Sequence, residues 1–137
     1  MSKEQNMATQ QKLGGAAVSG DLDAFDEVFA DDVVDHDPAP DQGSGPDGFK
    51  GFFNALRTAF PDMNIEVEHA VQDEDNVAIA YTLTGTHDGE LQGVAPTGKK
   101  VKVRGMQIAR FEEGKIVERW GATDELGIMR QIGAVPS

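Results

Sequence analysis

The chain has 137 residues, 39% of them hydrophobic and 26% charged, which suits one soluble globular domain spanning residues 1–137 with a core of its own. It contains no cysteine, so disulfides, thiolate chemistry and cysteine-rich zinc sites are excluded. Twenty-four acidic residues against 12 basic ones give a net charge of −12, a field that repels nucleic acid and anionic membrane surfaces.

The polar start MSKEQNMATQQK lacks the apolar core of a signal peptide, and no apolar run approaches the ~20 residues of a membrane helix, so a cytoplasmic location is expected. Gln5 to Val18 reads as a helix weakened by Gly14-Gly15, at roughly 1 kcal/mol per glycine relative to alanine. Ser19 or Asp21 caps a second helix whose apolar face carries Leu22, Phe25, Val28 and Phe29 and which ends near Asp31. VVDHDPAPDQGSGP then reads as an irregular loop. A third helix starts at Pro46 and stops before Pro61, with Phe49, Phe52, Phe53, Leu56 and Phe60 forming an apolar stripe. That stripe belongs to the core, and its pocket-facing end doubles as ligand contact.

From Asn64 the period changes to two, with Ile65, Val67, His69 and Val71 sharing one face. DEDN (73–76) turns the chain into a strand presenting Val77, Ile79, Tyr81 and Leu83 together. After the connection DGELQGVAPTGKK, Val101 and Val103 are in one phase and Met106 and Ile108 in the other, which predicts a β-bulge at Arg104-Gly105. EEGK (112–115) is a tight turn, and the last strand sets Ile116, Glu118, Trp120, Ala122 and Asp124 on one side, before a short closing helix, DELGIMRQIG. Helices first and hairpins after them predict an α+β fold, with N-terminal helices covering one face of a curved, antiparallel four-stranded sheet and a cone-shaped cavity at its open end.

The segments GDLDAFDEVFADDVVDHDP, FKGFFNALRTAFPDMNIEVE, GTHDGELQGVAPTGKKV and FEEGKIVERWGATDELGIMRQIG resemble the SnoaL-like ester and polyketide cyclases of the nuclear-transport-factor-two-like superfamily. The resemblance runs from about Gly20 to Gly133. It implies a cone-shaped α+β fold and acid–base catalysis of an intramolecular aldol ring closure, or an isomerisation, of a small hydrophobic carbonyl compound, with neither metal nor organic cofactor. It also implies that Asp124 is the catalytic carboxylate and that His36 and His87 hold positions where the family carries histidine. Where the family commonly reads EHW, this chain has Glu118-Arg119-Trp120.

Each assignment has a competing structural role. Asp124 is either a base desolvated by Trp120 and Ile116 or the N-cap of the closing helix. His87 either bonds a developing enolate or pairs with Asp88 or a loop carbonyl at a strand end. His36, between Asp35 and Asp37, reads as a loop anchor more than a metal ligand, since no second histidine lies at ligand spacing, while the family analogy implies a catalytic place for it at the pocket mouth. His69 reads as a satisfied core or interface residue. Trp120, Tyr81, Phe53 and Gln107, with Arg104 turned inward by the proposed bulge, complete the candidate substrate contacts. A non-catalytic binding or oligomerisation module of the same fold is the alternative to an enzyme; a homodimer or homotetramer is expected, with Val101 and Val103 as candidate interface residues.

Overall fold

A computed structural model describes residues 2–136. The first helix, α1 (Lys3–Ser19), starts at an N-cap in which Ser2 accepts from Gln5 N–H, and ends at Gly20, whose φ of 85° supplies the left-handed turn. A 3-10 turn (Leu22–Ala24) and a single helical turn, α2 (Phe25–Val28), follow. The apolar spacing there is short of a full helix. Phe29 instead opens a strand, β1 (Phe29–Asp35), where the sequence pattern suggested helix and then loop. Phe25, Val28 and Phe29 are all fully buried, so the tertiary core rather than local propensity sets this boundary.

Helix α3 (Gly45–Ala59) carries Pro46 in its first turn, and Phe60 caps it just before Pro61. Its ring Phe49 stacks on Phe29 at 4.1 Å, and Phe53 meets Phe25 edge-on at 5.5 Å. Four strands follow: β2 (Asn64–Gln72), β3 (Asn76–Thr86), β4 (Lys100–Glu112) and β5 (Lys115–Thr123), then α4 (Glu125–Gln131). The sheet has five strands in the order β1-β5-β4-β3-β2, all antiparallel except the β1–β5 pair, which is parallel. The α+β architecture is as the sequence led one to expect, with one strand more. Among the described residues no helix is long and apolar enough to cross a membrane.

Two bulges in the antiparallel part of the sheet, neither at the expected place, decide which of its side chains face inward. β3 and β4 pair without interruption from Asn76↔Arg110 to Thr86↔Lys100, so there is no bulge at Arg104-Gly105. Val101, Val103, Gly105, Ala109 and Phe111 are buried in a single phase; Met106 and Ile108, 56% and 46% exposed, lie on the other face. Val101 and Val103 are therefore core, not interface. One bulge lies on β2 at Glu68, between Val67↔Tyr81 and His69↔Ala80, and it sends His69 and Val71 to the outer face, where both are exposed. The other lies on β5 at Val117. Arg110 pairs with Glu118 but Phe111 with Ile116, so the phase inverts after Ile116. Ile116 stays in the core, Glu118 and Trp120 turn outward, and Arg119 and Thr123 turn inward.

Candidate functional site

The helices and the inner sheet face enclose a cavity of about 760 Å³. Its apolar wall comes from Leu13 on α1, Phe52, Phe53 and Leu56 on α3, Ile79 and Leu83 on β3, and Ile128 and Met129 on α4. The stripe on α3 thus serves two purposes, as expected: Phe49 and Phe60 are buried, while the half-buried Phe52, Phe53 and Leu56 line the cavity. A smaller pocket of about 130 Å³ adjoins it, sharing Arg119 in its lining and bordered by Asp35, Asp37 and Gly121. Both volumes together fall in the range of small-molecule sites.

A connected set of polar side chains stands at one pole of the cavity. Arg119 on β5 donates through Nε to Gln107 Oε1 (3.1 Å) and through Nη1 to Asp35 Oδ1 (3.1 Å) and to the Asp37 carbonyl (3.3 Å). Gln42, from the proline- and glycine-rich loop, donates to Asp35 Oδ2 at 3.0 Å, and Gln107 reaches Gln10 Oε1 on α1 at 3.4 Å. The side chains of Asp35 and Arg119 are only 8% and 15% exposed, so this ion pair is largely desolvated and its remaining hydrogen bonds offset the burial. Farther along the inner face Tyr81 Oη and Thr123 Oγ1 are 2.7 Å apart. Tyr81 can lie flat against the sheet because the residue paired with it is Gly105; a Cβ there would overlap the phenol ring.

The expected site residues divide into two groups. Tyr81, Phe53 and Gln107 line the cavity; Asp124, His87, His36, Trp120 and Arg104 do not. Asp124 is exposed and is the N-cap of α4, its Oδ1 accepting from Gly127 N–H at 2.8 Å. The next residue, Glu125, lines both the cavity and the smaller pocket and makes no hydrogen bond to another described residue. His87 is fully buried; its Nδ1 accepts from Thr97 N–H (3.3 Å) and lies 3.0 Å from Thr97 Oγ1, and its ring sits beside Phe60. It ties the 88–99 connection to the end of β3, and Nε2 has no partner.

His36 and Trp120 meet on the outer face, stacked at 4.7 Å with their planes 7° apart. His36 Nε2 lies 2.7 Å from Glu118, which also pairs with Arg110. These two partners, His36 first, hold the Glu118 carboxyl below its ordinary range. Arg104 is exposed, since without the expected bulge nothing turns it inward. Among the described residues no three histidine or carboxylate groups are placed to hold a metal ion. Arg119, Asp35, Gln42, Gln10, Thr123 and Glu125 are the cavity residues that strand phase failed to single out. Only the register shift at Val117 reveals the inward turn of Arg119 and Thr123, and that shift leaves no mark in the residue pattern.

The SnoaL-like polyketide cyclase family model matches residues 8–132. The chain belongs to this family. It is 28% identical over 103 residues to the aklanonic acid methyl ester cyclase DnrD of Streptomyces peucetius, covering 74% of this chain and 68% of that one. Among solved structures, wild-type IdmH of Streptomyces antibioticus, a proposed polyketide cyclase, is 33% identical, with a TM-score of 0.83 over 94% of this chain and 99% of that one. A SnoaL-like protein from Jannaschia sp. is 28% identical, with a TM-score of 0.85 over 97% and 94% of the two chains.

Proposed function

We propose that this SnoaL-like protein is a cofactor-free cyclase that closes a ring within a small, largely apolar polycarbonyl compound of the polyketide type. The supporting observation is the cavity itself: about 760 Å³ of mostly apolar wall with hydrogen-bonding groups gathered at one pole. Such a site desolvates a carbonyl substrate and orients it by a few polar contacts. In the reaction a proton leaves the carbon beside one carbonyl, and that carbon attacks a second carbonyl of the same molecule. The new carbon–carbon bond forms as the second C=O electron pair passes to oxygen, which takes up a proton. The step is an isomerisation and needs no co-reactant.

Glu125 is the proton acceptor in this reading. Among the described residues it is the one carboxylate residue that lines both the cavity and the smaller pocket, and its side chain makes no hydrogen bond, whereas Asp124 is occupied with the helix cap and Asp35 accepts hydrogen bonds on both oxygens. Tyr81 and Thr123 form a hydroxyl pair able to return a proton to oxygen. His87 acts at a distance, by holding the connection that carries Glu90 and Leu91 to the cavity. The test is hydrogen–deuterium exchange at C2 of 1-tetralone in D2O, followed by NMR. Exchange accelerated by the protein and abolished by Glu125→Gln supports the reading; binding without accelerated exchange leaves a non-catalytic binding module.

The same reading includes a homodimer formed through the outer sheet face. There Val71, Met106 and Ile108 are about half exposed and lie beside Ala78, Ala80, Trp120 and Ala122 on neighbouring strands. A contiguous apolar sheet face of this kind is a common interface between copies.

A further inference from the structure

Arg119 is held by three acceptors on three different segments, yet one end of its guanidinium is unused. Nε is bound to Gln107 on β4 and Nη1 to Asp35 on β1 and to the Asp37 carbonyl, but Nη2 donates to no described residue. Nη2 is not sealed from solvent, so it reaches accessible space. It lies over Gly121, where an added Cβ would stand 2.9 Å from it, and Gly121 and Arg119 both border the smaller pocket. The missing side chain at Gly121 is what leaves room there for an acceptor atom. Among the described residues Arg119 is also the only cationic one lining either space.

The charge around this donor is already balanced. Asp35 neutralises the guanidinium, and Asp37 and Glu125 add two more carboxylates to the lining of the smaller pocket. The mouth of the larger cavity adds Asp41, Asp47 and Glu90. Those five carboxylates are exposed and screened by solvent, so the repulsion a ligand carboxylate would meet comes mainly from the largely buried Asp35, whereas a neutral carbonyl gains the hydrogen bonds without it.

On this basis, and resting on the reading of the cavity as a carbonyl-binding site, we propose that Arg119 Nη2 donates to the acceptor carbonyl of the substrate in the smaller pocket, and that Asp35 restricts the site to uncharged esters and ketones, rejecting the free acid. As the ring closes, negative charge develops on that carbonyl oxygen. A fixed guanidinium donor is already aimed at it and needs no reorganisation. Asp35 is a positioning residue; Arg119 is the catalytic one.

The probes are methyl 2-naphthoate carrying a 13C-labelled carbonyl, and 2-naphthoate. With the wild-type protein the ester is expected to bind at least tenfold more tightly than the acid, and its bound C=O stretch to fall below its value in an apolar solvent. Arg119→Met leaves Asp35 unpaired and risks unfolding, so Arg119→Lys is the second variant: a single ammonium keeps the pairing with Asp35 and leaves no fork for the ligand. The lowered stretch is expected to disappear in Arg119→Lys, with folding checked by circular dichroism. Asp35→Asn keeps an oxygen to accept from Nη1 but removes the charge, and, with folding checked in the same way, is expected to raise the affinity for the acid relative to that for the ester severalfold. An unchanged C=O stretch in folded Arg119→Lys, or equal binding of acid and ester by the wild type, overturns the assignment alone. If neither compound perturbs the NMR signals of Phe53, Leu56 and Met129, the cavity reading falls with it.

Discussion

Asp124 and Glu125 are adjacent acidic residues with opposite assignments, so two substitutions separate cap from base. Asp124 accepts from Gly127 N–H at 2.8 Å, a bond whose removal costs about 1 kcal/mol, or roughly 0.5–2 kcal/mol across known caps. For a chain of this size that corresponds to a fall in Tm of about 3–5 °C per kcal/mol. Glu125 is exposed and makes no hydrogen bond, so Glu125→Gln should change stability by no more than about 0.5 kcal/mol. General-base catalysis contributes roughly 10²–10⁴ in rate, so the same substitution should reduce α-proton exchange of a bound ketone by at least about 100-fold. The expected result is thus a crossed pair: Asp124→Ala melts a few degrees lower and still exchanges, and Glu125→Gln melts normally and does not. Thermal denaturation and the D2O exchange assay on both variants measure it. The reverse pairing, with Asp124→Ala inactive at an unchanged Tm and Glu125→Gln fully active, would refute the argument and return the carboxylate role to Asp124.

Three further outcomes follow from individual contacts. Gly14 lines the cavity and an added Cβ would meet nothing within 4 Å, so Gly14→Leu should raise stability by about 1 kcal/mol through helix propensity. By filling the cavity the same change should weaken methyl 2-naphthoate at least about tenfold, as thermal melts and titration will show. Asp62 accepts from both Thr86 N–H and Thr86 Oγ1 at 2.7 Å, the hydroxyl bond being the larger influence, and its carboxyl is held below its ordinary value of 3.8. A depressed folded value stabilises above the ordinary value and is lost as pH falls through the folded one; the Tm deficit of Asp62→Asn should therefore be constant well above 3.8 and shrink as pH falls through the lowered folded value. Ile108→Lys on the outer sheet face should convert a dimer to a monomer in sedimentation while retaining ligand binding; an unchanged sedimentation coefficient from a dimeric parent would place the interface elsewhere.

Much of the fold was legible because its signals are local and repeated. The α3 stripe, bounded by Pro46 and Pro61, fixes a helix with one apolar face, and the alternation from Val77 to Leu83 fixes a strand with a known inward face. The turn at Glu113-Gly114 is written in the chain too, since both residues take positive φ, 51° and 77°, as a two-residue hairpin turn demands. Strand β1 was not legible. Phe25, Val28 and Phe29 keep helical spacing, and only pairing with β5, more than 80 residues away, pulls Phe29–Asp35 into the sheet. The site suffered most from phase. Counting in twos from Ile116 puts Trp120 and Asp124 with the core, yet the extra residue Val117 reverses every position after it. Similarly, Met106 and Ile108 suggested a bulge because apolar residues were assumed to point inward, whereas an apolar outer face explains them without one.

The bulge at Val117 also ties together features that look independent in the sequence. It turns position 119 inward, where the family pattern EHW leads one to expect histidine and this chain has arginine. A histidine there would be free to gain or lose a proton near neutral pH, whereas an arginine is charged at all relevant pH values and cannot act as a base. Its burial requires a counter-charge, which Asp35 supplies from β1, the strand whose parallel pairing brings it opposite Arg119. The planar guanidinium requires space, which Gly121 supplies two residues along the same face. Gln42 then holds the second oxygen of Asp35, so the irregular loop becomes part of the site's frame. Arg119, Asp35, Gly121 and Gln42 therefore form one unit, which supports the proposed part of Arg119 as a fixed donor. In the proposed reaction the proton acceptor is then another residue, and Glu125, the one carboxylate among the described residues that lines both pockets, takes that place.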